Sequence, residues 1–286
     1  MTGALGWDAA LLARVEDASL NASAPPQQRW IDGWLVRFAP GKARRARCIH
    51  AVAAGRLPLP ERLALAAAVY EEAGLPLHLR ITPFSLPADL DATLAGMGWA
   101  AVDPTRVMLR RLAAAGSPPP AAAPPGGLRL HTPGLADFAL AVGTLRGSSA
   151  AEIEGHAERL GQLPVPCRAA VLRDGSEVAA CALVAREAEL VGLYDVVTAL
   201  AWRGHHFAPW MCERLLLEEA SCGARIAYLQ VSEDNDVARA VYSRMGFDDG
   251  YGYHYRVPPP GATHREGLPA APSGPGTVRG SPSTPP

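Results

Sequence analysis

Residues 222–256 read CGARIAYLQVSEDNDVARAVYSRMGFDDGYGYHYR. Ile226, Tyr228 and Gln230 alternate with Ala227, Leu229 and Val231 over a β-favouring run. That pattern predicts a strand buried on most of both faces. The polar run Ser232 to Asp236 stops it, and any of its side chains can cap a helix. Val237, Val241 and Met245 then recur four apart, with Ala238 and Tyr242 on the adjoining stripe, which makes one face of a helix about three turns long. Gly246 falls where a left-handed C-terminal cap belongs. The stretch therefore reads as strand, short helix, then a strand pair.

Composition bounds what surrounds it. The chain has 286 residues, 49% of them hydrophobic, which suits two domains of roughly 100–200 residues. A formal net charge of −1 argues against a nucleic-acid-binding surface as the main business. No run of about 18 apolar residues lacks charges or prolines, so no membrane span is expected. The opening MTGALGWDAALLARVEDAS carries acidic residues and no long apolar core, unlike a secretory signal. Five scattered cysteines without zinc spacing read as free thiols of a reducing compartment, so a cytoplasmic location and no metal are expected.

The first half predicts a helix over 7–19, a strand over 30–38 with Gly33 as a bulge, and a strand over 44–52. Arg44, Arg45 and Arg47 could form a basic patch, but a solvated face of that strand is the preferred reading. A helix follows from Leu59 to Ala73, with Pro60 near its start. Then come a strand over 77–84, a short helix over 89–97 closed by Gly98-Trp99, and a strand pair over 100–112 turning at Asp103-Pro104. Residues 116–127 form a Pro/Ala/Gly linker. Beyond it, a strand at 128–131 leads to helices around 135–142 and 153–163. A hairpin turns at Asp174-Gly175, and a strand covers 190–198. Arg203-Gly204-His205-His206-Phe207-Ala208 then opens a helix whose stripe is Ala208, Met211, Cys212, Leu215 and Leu216. Residues 258–286 are rich in Pro, Gly and Ser and are expected to be disordered.

The segment Asn235-x-x-Ala238-x-x-x-Tyr242-x-x-x-Gly246-Phe247 resembles the end of the GNAT N-acetyltransferase superfamily, whose members move an acetyl group from acetyl-CoA to an amine. In that family the Asn holds the pantetheine arm and the Tyr protonates the departing thiolate. The resemblance implies these roles for Asn235 and Tyr242. It also implies that Val196 and Val197 offer backbone groups to the pantetheine where strands 190–198 and 224–231 splay apart. The turn at Arg203, Gly204, His205, His206, Phe207 and Ala208 is similar to the family's phosphate loop, where backbone N–H groups and a helix N-terminus hold the CoA pyrophosphate.

His206 departs from the pattern by standing at a glycine position. Glycine there allows a positive φ, which histidine adopts only with strain; a protonated imidazole would instead lend charge to phosphate. Asp195 and Glu233 are candidates for a general base by nearness in sequence, and both also read as solvated or capping carboxylates. Asp195 is expected on one strand face with Leu193 and Val197, opposite Tyr194.

The first half mirrors the second. Leu90, Leu94 and Gly98-Trp99 match Ala238, Tyr242 and Gly246-Phe247, with Leu94 where the acid would stand. The implied fold is α/β (α+β), a tandem of GNAT-like domains. Each has a mixed, mostly antiparallel central sheet flanked by helices: a degenerate domain at 1–115 and an acetyltransferase domain at 128–257. The implied function is transfer of an acetyl group from acetyl-CoA to a primary amine of a small molecule or peptide, with no nucleic-acid or membrane partner. The alternatives are a binding or regulatory module with weak or lost acyl-CoA chemistry because of His206, and a purely structural use of the fold. The acceptor and the oligomeric state are left open.

Overall fold

A computed structural model describes residues 6–113 and 124–260. Most of the linker and nearly all of the tail lie outside the described residues. The first half contributes α1 (Ala9–Asn21), β1 (Gln28–Ile31), β2 (Trp34–Arg37), β3 (Ile49–Ala51), α2 (Leu59–Glu72), β4 (Leu79–Ile81), α3 (Leu90–Gly96) and β5 (Ala100–Arg111). The second contributes β6 (Arg129–His131), α4 (Leu135–Leu145), α5 (Ala150–Gly161), β7 (Cys167–Asp174), β8 (Glu177–Glu187), β9 (Leu190–Thr198), α6 (Phe207–Ser221), β10 (Ile226–Ser232), α7 (Asp236–Arg244) and β11 (Asp248–Val257).

Several local expectations are corrected. The run 30–38 is a hairpin rather than one bulged strand. Asp32 and Gly33 both take positive φ, 40° and 83°, as a tight two-residue turn requires, and Ile31 pairs with Trp34. Of 44–52, only Ile49–Ala51 is strand, while Arg44–Ala46 is a 3-10 turn. The expected strand pairs after Trp99 and Phe247 are each one long strand, β5 and β11. Asp103 takes a positive φ of 51° within β5 without reversing it.

Both halves contribute mixed, mostly antiparallel strands, joined into one 11-stranded open sheet in the order β1-β2-β3-β4-β11-β5-β10-β9-β8-β7-β6. The halves interlock. β11, the last strand of the second half, lies between β4 and β5 of the first, and β5 lies between β11 and β10. Among the described residues only β3–β4 and β9–β10 pair in parallel, one such pair in each half.

Helices cover the sheet. Met211, Cys212, Leu215 and Leu216 of α6 bury against Leu172, Val184, Leu193 and Leu229. Phe138 and Val142 of α4 and Leu160 of α5 bury in a separate cluster with Val171, Cys181 and Leu183. Fully burying one such aliphatic or aromatic side chain contributes about 1.5–3 kcal/mol. In the first half, Tyr70 of α2 and Leu94 of α3 pack on Trp34, Ile49 and Leu79. The repeated helix-to-strand turns close alike: Gly98 (φ 82°) and Gly246 (φ 84°) are left-handed, and the amides of Trp99 and Phe247 each donate at 3.0 Å to the carbonyls of Leu94 and Tyr242.

Candidate active site

β9 and β10 pair in parallel from Leu190↔Ile226 to Leu193↔Leu229. β9 continues to Thr198 and β10 to Ser232 without further pairing between them. The expected splay is therefore present, and it begins after Leu193 and Leu229.

A bulge marks the same point. Ala182 of β8 stands opposite two residues, because Cys181 pairs with Val197 and Leu183 with Tyr194. Asp195 supplies the extra residue with φ 50°, a conformation aspartate tolerates better than most. The bulge breaks the simple alternation expected for this strand, which corrects the placement of Asp195. Tyr194 and Asp195 both line one cavity, Val196 packs with the α6 cluster, and Val197 packs with the α4/α5 cluster.

On the α6 side, His206 caps the helix at φ 59°, ψ 21°, with no side-chain cap and no acidic residue in the first turn. Gly204 is also left-handed, at φ 81°. Arg203, Gly204, His205 and His206 are exposed, so the uncapped N-terminus and its loop face solvent with their donors free of competing carboxylates. Phe207 is buried beneath the loop, and its ring stacks on His205 at 5.6 Å. His205 Nδ1 lies 3.0 Å from the Arg203 carbonyl. Ala208 is half-buried in the first turn, just before Pro209.

Asn235 caps α7, its Oδ1 accepting from the Ala238 amide at 3.1 Å. This leaves the side-chain amide donors available. Tyr242, half-buried on α7, packs against the α6 cluster and the Phe247 ring at 6.0 Å. Burial, and then the neighbouring Cys212, push its phenol well above the ordinary tyrosine value, so it keeps its proton at neutral pH.

Across the sheet lies a cavity of about 550 Å³ lined by both halves. Tyr194, Gln230 and Tyr253 form part of its wall. Tyr194 and Tyr228 share a hydroxyl hydrogen bond at 2.9 Å, and the Tyr253 hydroxyl donates to Gln230 Oε1 at 2.8 Å. Arg45 Nη1 donates to the same oxygen at 2.7 Å. It is therefore part of the cavity and not of a solvated strand face, because the 3-10 turn at Arg44–Ala46 turns it inward.

α5 covers the cavity with His156 and Arg159. His156 Nε2 lies 3.1 Å from Asp195 Oδ2, and Arg146 Nη1 donates to Oδ1 at 2.6 Å. Burial would raise the Asp195 carboxyl, but His156 and Arg146 outweigh it and hold the group well below the ordinary carboxylate range. The other candidate base, Glu233, accepts from Arg106 Nε at 3.1 Å.

The sequence reading gives no site role to Arg45, Arg146, His156, Arg159, Tyr194 and Tyr253. One signal was available: His156 and Arg159 stand three apart on an amphipathic helix, facing inward with Ile153 and Leu160.

A sheet that splits between two parallel strands, beside a left-handed turn into an uncapped helix, is the fold of the GNAT acetyltransferases. More particularly, the chain belongs to the family described as "Probable histone acetyltransferase Rv0428c C-terminal", whose model matches residues 10–256. Among solved structures, it is similar to a GCN5-related N-acetyltransferase from Kribbella flavida: TM-score 0.56, 16% identity, covering 87% of this chain and 96% of that one. A GCN5-related N-acetyltransferase from Sphaerobacter thermophilus gives TM-score 0.52 at 19% identity, covering 68% of this chain and 66% of that one. A tandem GNAT protein from the clavulanic acid biosynthesis pathway gives 0.53 at 18%, covering 68% of each. At these identities the likeness shows the fold. No curated protein matches the chain. Among the described residues no helix is long and apolar enough to cross a membrane.

Proposed function

We propose that this protein is an N-acetyltransferase that moves an acetyl group from acetyl-CoA to an amine held in the cavity between the halves. The observation that carries the reading is the split after Leu193 and Leu229, which opens beside the His206 loop. The arrangement fits the co-substrate. The αL conformation at His206 that a phosphate loop needs is already adopted, and the α6 N-terminus carries no capping side chain. Val196 and Val197 would offer backbone groups to the pantetheine. Arg203, Gly204, His205, His206, Phe207 and Ala208 would hold the pyrophosphate, and Asn235 the arm, through its free amide donors.

Bound acetyl-CoA supplies an activated acyl carbon and a thiolate leaving group. Tyr242, kept protonated by its surroundings, gives its proton to sulfur. Asp195 is held as a carboxylate by His156 and Arg146, and Glu233 is engaged by Arg106, so neither is well placed to take the amine proton. We assign that step to water in the cavity. A module with lost acyl-CoA chemistry is favoured only by the histidine at the glycine position, and the left-handed geometry of His206 removes that ground.

Tyr242→Phe tests the assignment, because it keeps the ring and deletes only the hydroxyl. In an assay of amine-dependent thiol release, kcat falls by about 10²-fold, the low end for a lost general acid, while acetyl-CoA affinity stays the same. An unchanged kcat would remove Tyr242 from the mechanism.

A further inference from the structure

We propose that the acceptor is an amine that also carries an anionic group, a carboxylate or a phosphate, bound between Arg45 and Arg159. The inference deepens the acetyltransferase reading and rests on it for the direction of the chemistry. Its basis is the charge balance of the cavity. Three cations of its lining are matched: Lys42 by Glu152 at 3.3 Å, Arg44 by Asp103, and Arg146 by Asp195.

Arg45 and Arg159 are left over. Arg45 is held by the neutral acceptors Gln230 and Tyr253, and its Nε is buried without a partner. The Arg159 side chain makes no ion pair or hydrogen bond among the described residues; burial lowers its pKa, the nearby Asp195 carboxylate offsets part of that without bonding it, and Arg45 and Arg146 lower it further. Desolvated guanidinium groups with no directly bonded anion are costly, and a bidentate carboxylate or phosphate offsets that cost.

The anion is not that of the proposed co-substrate. The cavity lining contains none of Arg203 to Ala208, Asn235 or Tyr242. Asp195 lies at the bulge, where the cavity meets the split between β9 and β10. An acceptor anchored at the two arginines would thus have its amine directed toward the split. About 550 Å³ accommodates an amino acid or a comparably small amine. A lysine-rich peptide would bring like charge against the two free guanidiniums.

Calorimetry on the full chain tests this with α-amino acids against their amides, and aminoalkyl phosphates against the corresponding amino alcohols. The expected result is that the anionic member of the carboxylate or the phosphate pairs binds about tenfold to a hundredfold tighter than its neutral partner; which set shows the difference identifies the anion. Arg159→Gln removes that preference and Arg159→Lys retains part of it. With acetyl-CoA present, the preference reappears in thiol release as a lower KM. Equal binding by neutral partners, no binding by any anionic member, or tighter binding of a lysine-rich peptide overturns the inference. Binding of the anionic amine by a chain that does not bind acetyl-CoA would sink the transferase reading and leave this cavity assignment standing.

Discussion

His206 occupies the left-handed region, at φ 59°, where an ordinary side chain costs roughly 1–2 kcal/mol. Glycine would relieve that cost without altering the turn. His206→Gly is therefore expected to stabilise the fold by about 1 kcal/mol, raising Tm by about 2–4 °C. Acetyl-CoA affinity should move by less than tenfold, since the loop already has the required shape. A larger loss of affinity in calorimetry would mean that the imidazole itself touches phosphate.

Asp195 stores stability of a different kind. Its folded pKa is depressed, so its contribution is fully present above the ordinary carboxylate value near about 4 and disappears as pH falls from there toward the folded value. Asp195→Asn should cost on the order of 1–3 kcal/mol at pH 7. The gap from wild type, read from denaturant melts, should narrow below about pH 4. A gap that is constant from pH 7 to pH 3 would deny the ion pair its role.

At the scale of elements, the exchange of β5 and β11 decides what can fold. β5 takes its hydrogen bonds from β10 and β11, both of the second half, and β4 pairs on one side with β11. Separated halves would expose β5 and leave β4 half-paired, and long unpaired edges aggregate. Residues 1–113 and 124–286 expressed apart should be unfolded or aggregated by circular dichroism, and co-expression should restore one soluble complex. A folded, monomeric first half would contradict the interlock.

This exchange was not legible in the sequence. The alternation of β10 and the glycine caps at Gly98 and Gly246 could be read locally, because each depends on neighbours within a few residues. The partners of β5 and β11 lie more than a hundred residues away, and several strands share the same alternation. The hairpin at Asp32-Gly33 carried the same turn signal as Asp174-Gly175 and was hidden inside an apolar run. The Asp195 bulge was invisible for a physical reason: a period-two reading has no place for an extra residue. That one residue brings a carboxylate into the cavity wall, so the split after Leu193 could be anticipated from the sequence while this wall of the cavity could not.

Over the whole molecule, the buried ion pair of Glu16 on α1 and Arg80 on β4 is completed by Tyr251 on β11, whose hydroxyl donates to Glu16 Oε2 at 2.6 Å. The two halves are thereby tied at the centre of the sheet as well as along its strands. They are not equivalent in chemistry. Leu94 is fully buried where Tyr242 stands in the second half, and the residue that caps α2, Pro58 at φ −54°, is not left-handed as His206 is at the start of α6. One co-substrate site is therefore expected in a chain built from two similar halves. Calorimetric titration of acetyl-CoA into the full-length protein tests this most directly. A stoichiometry of one per chain is expected; two sites would contradict the reading of the first half as degenerate, and no binding would contradict the acetyltransferase reading itself.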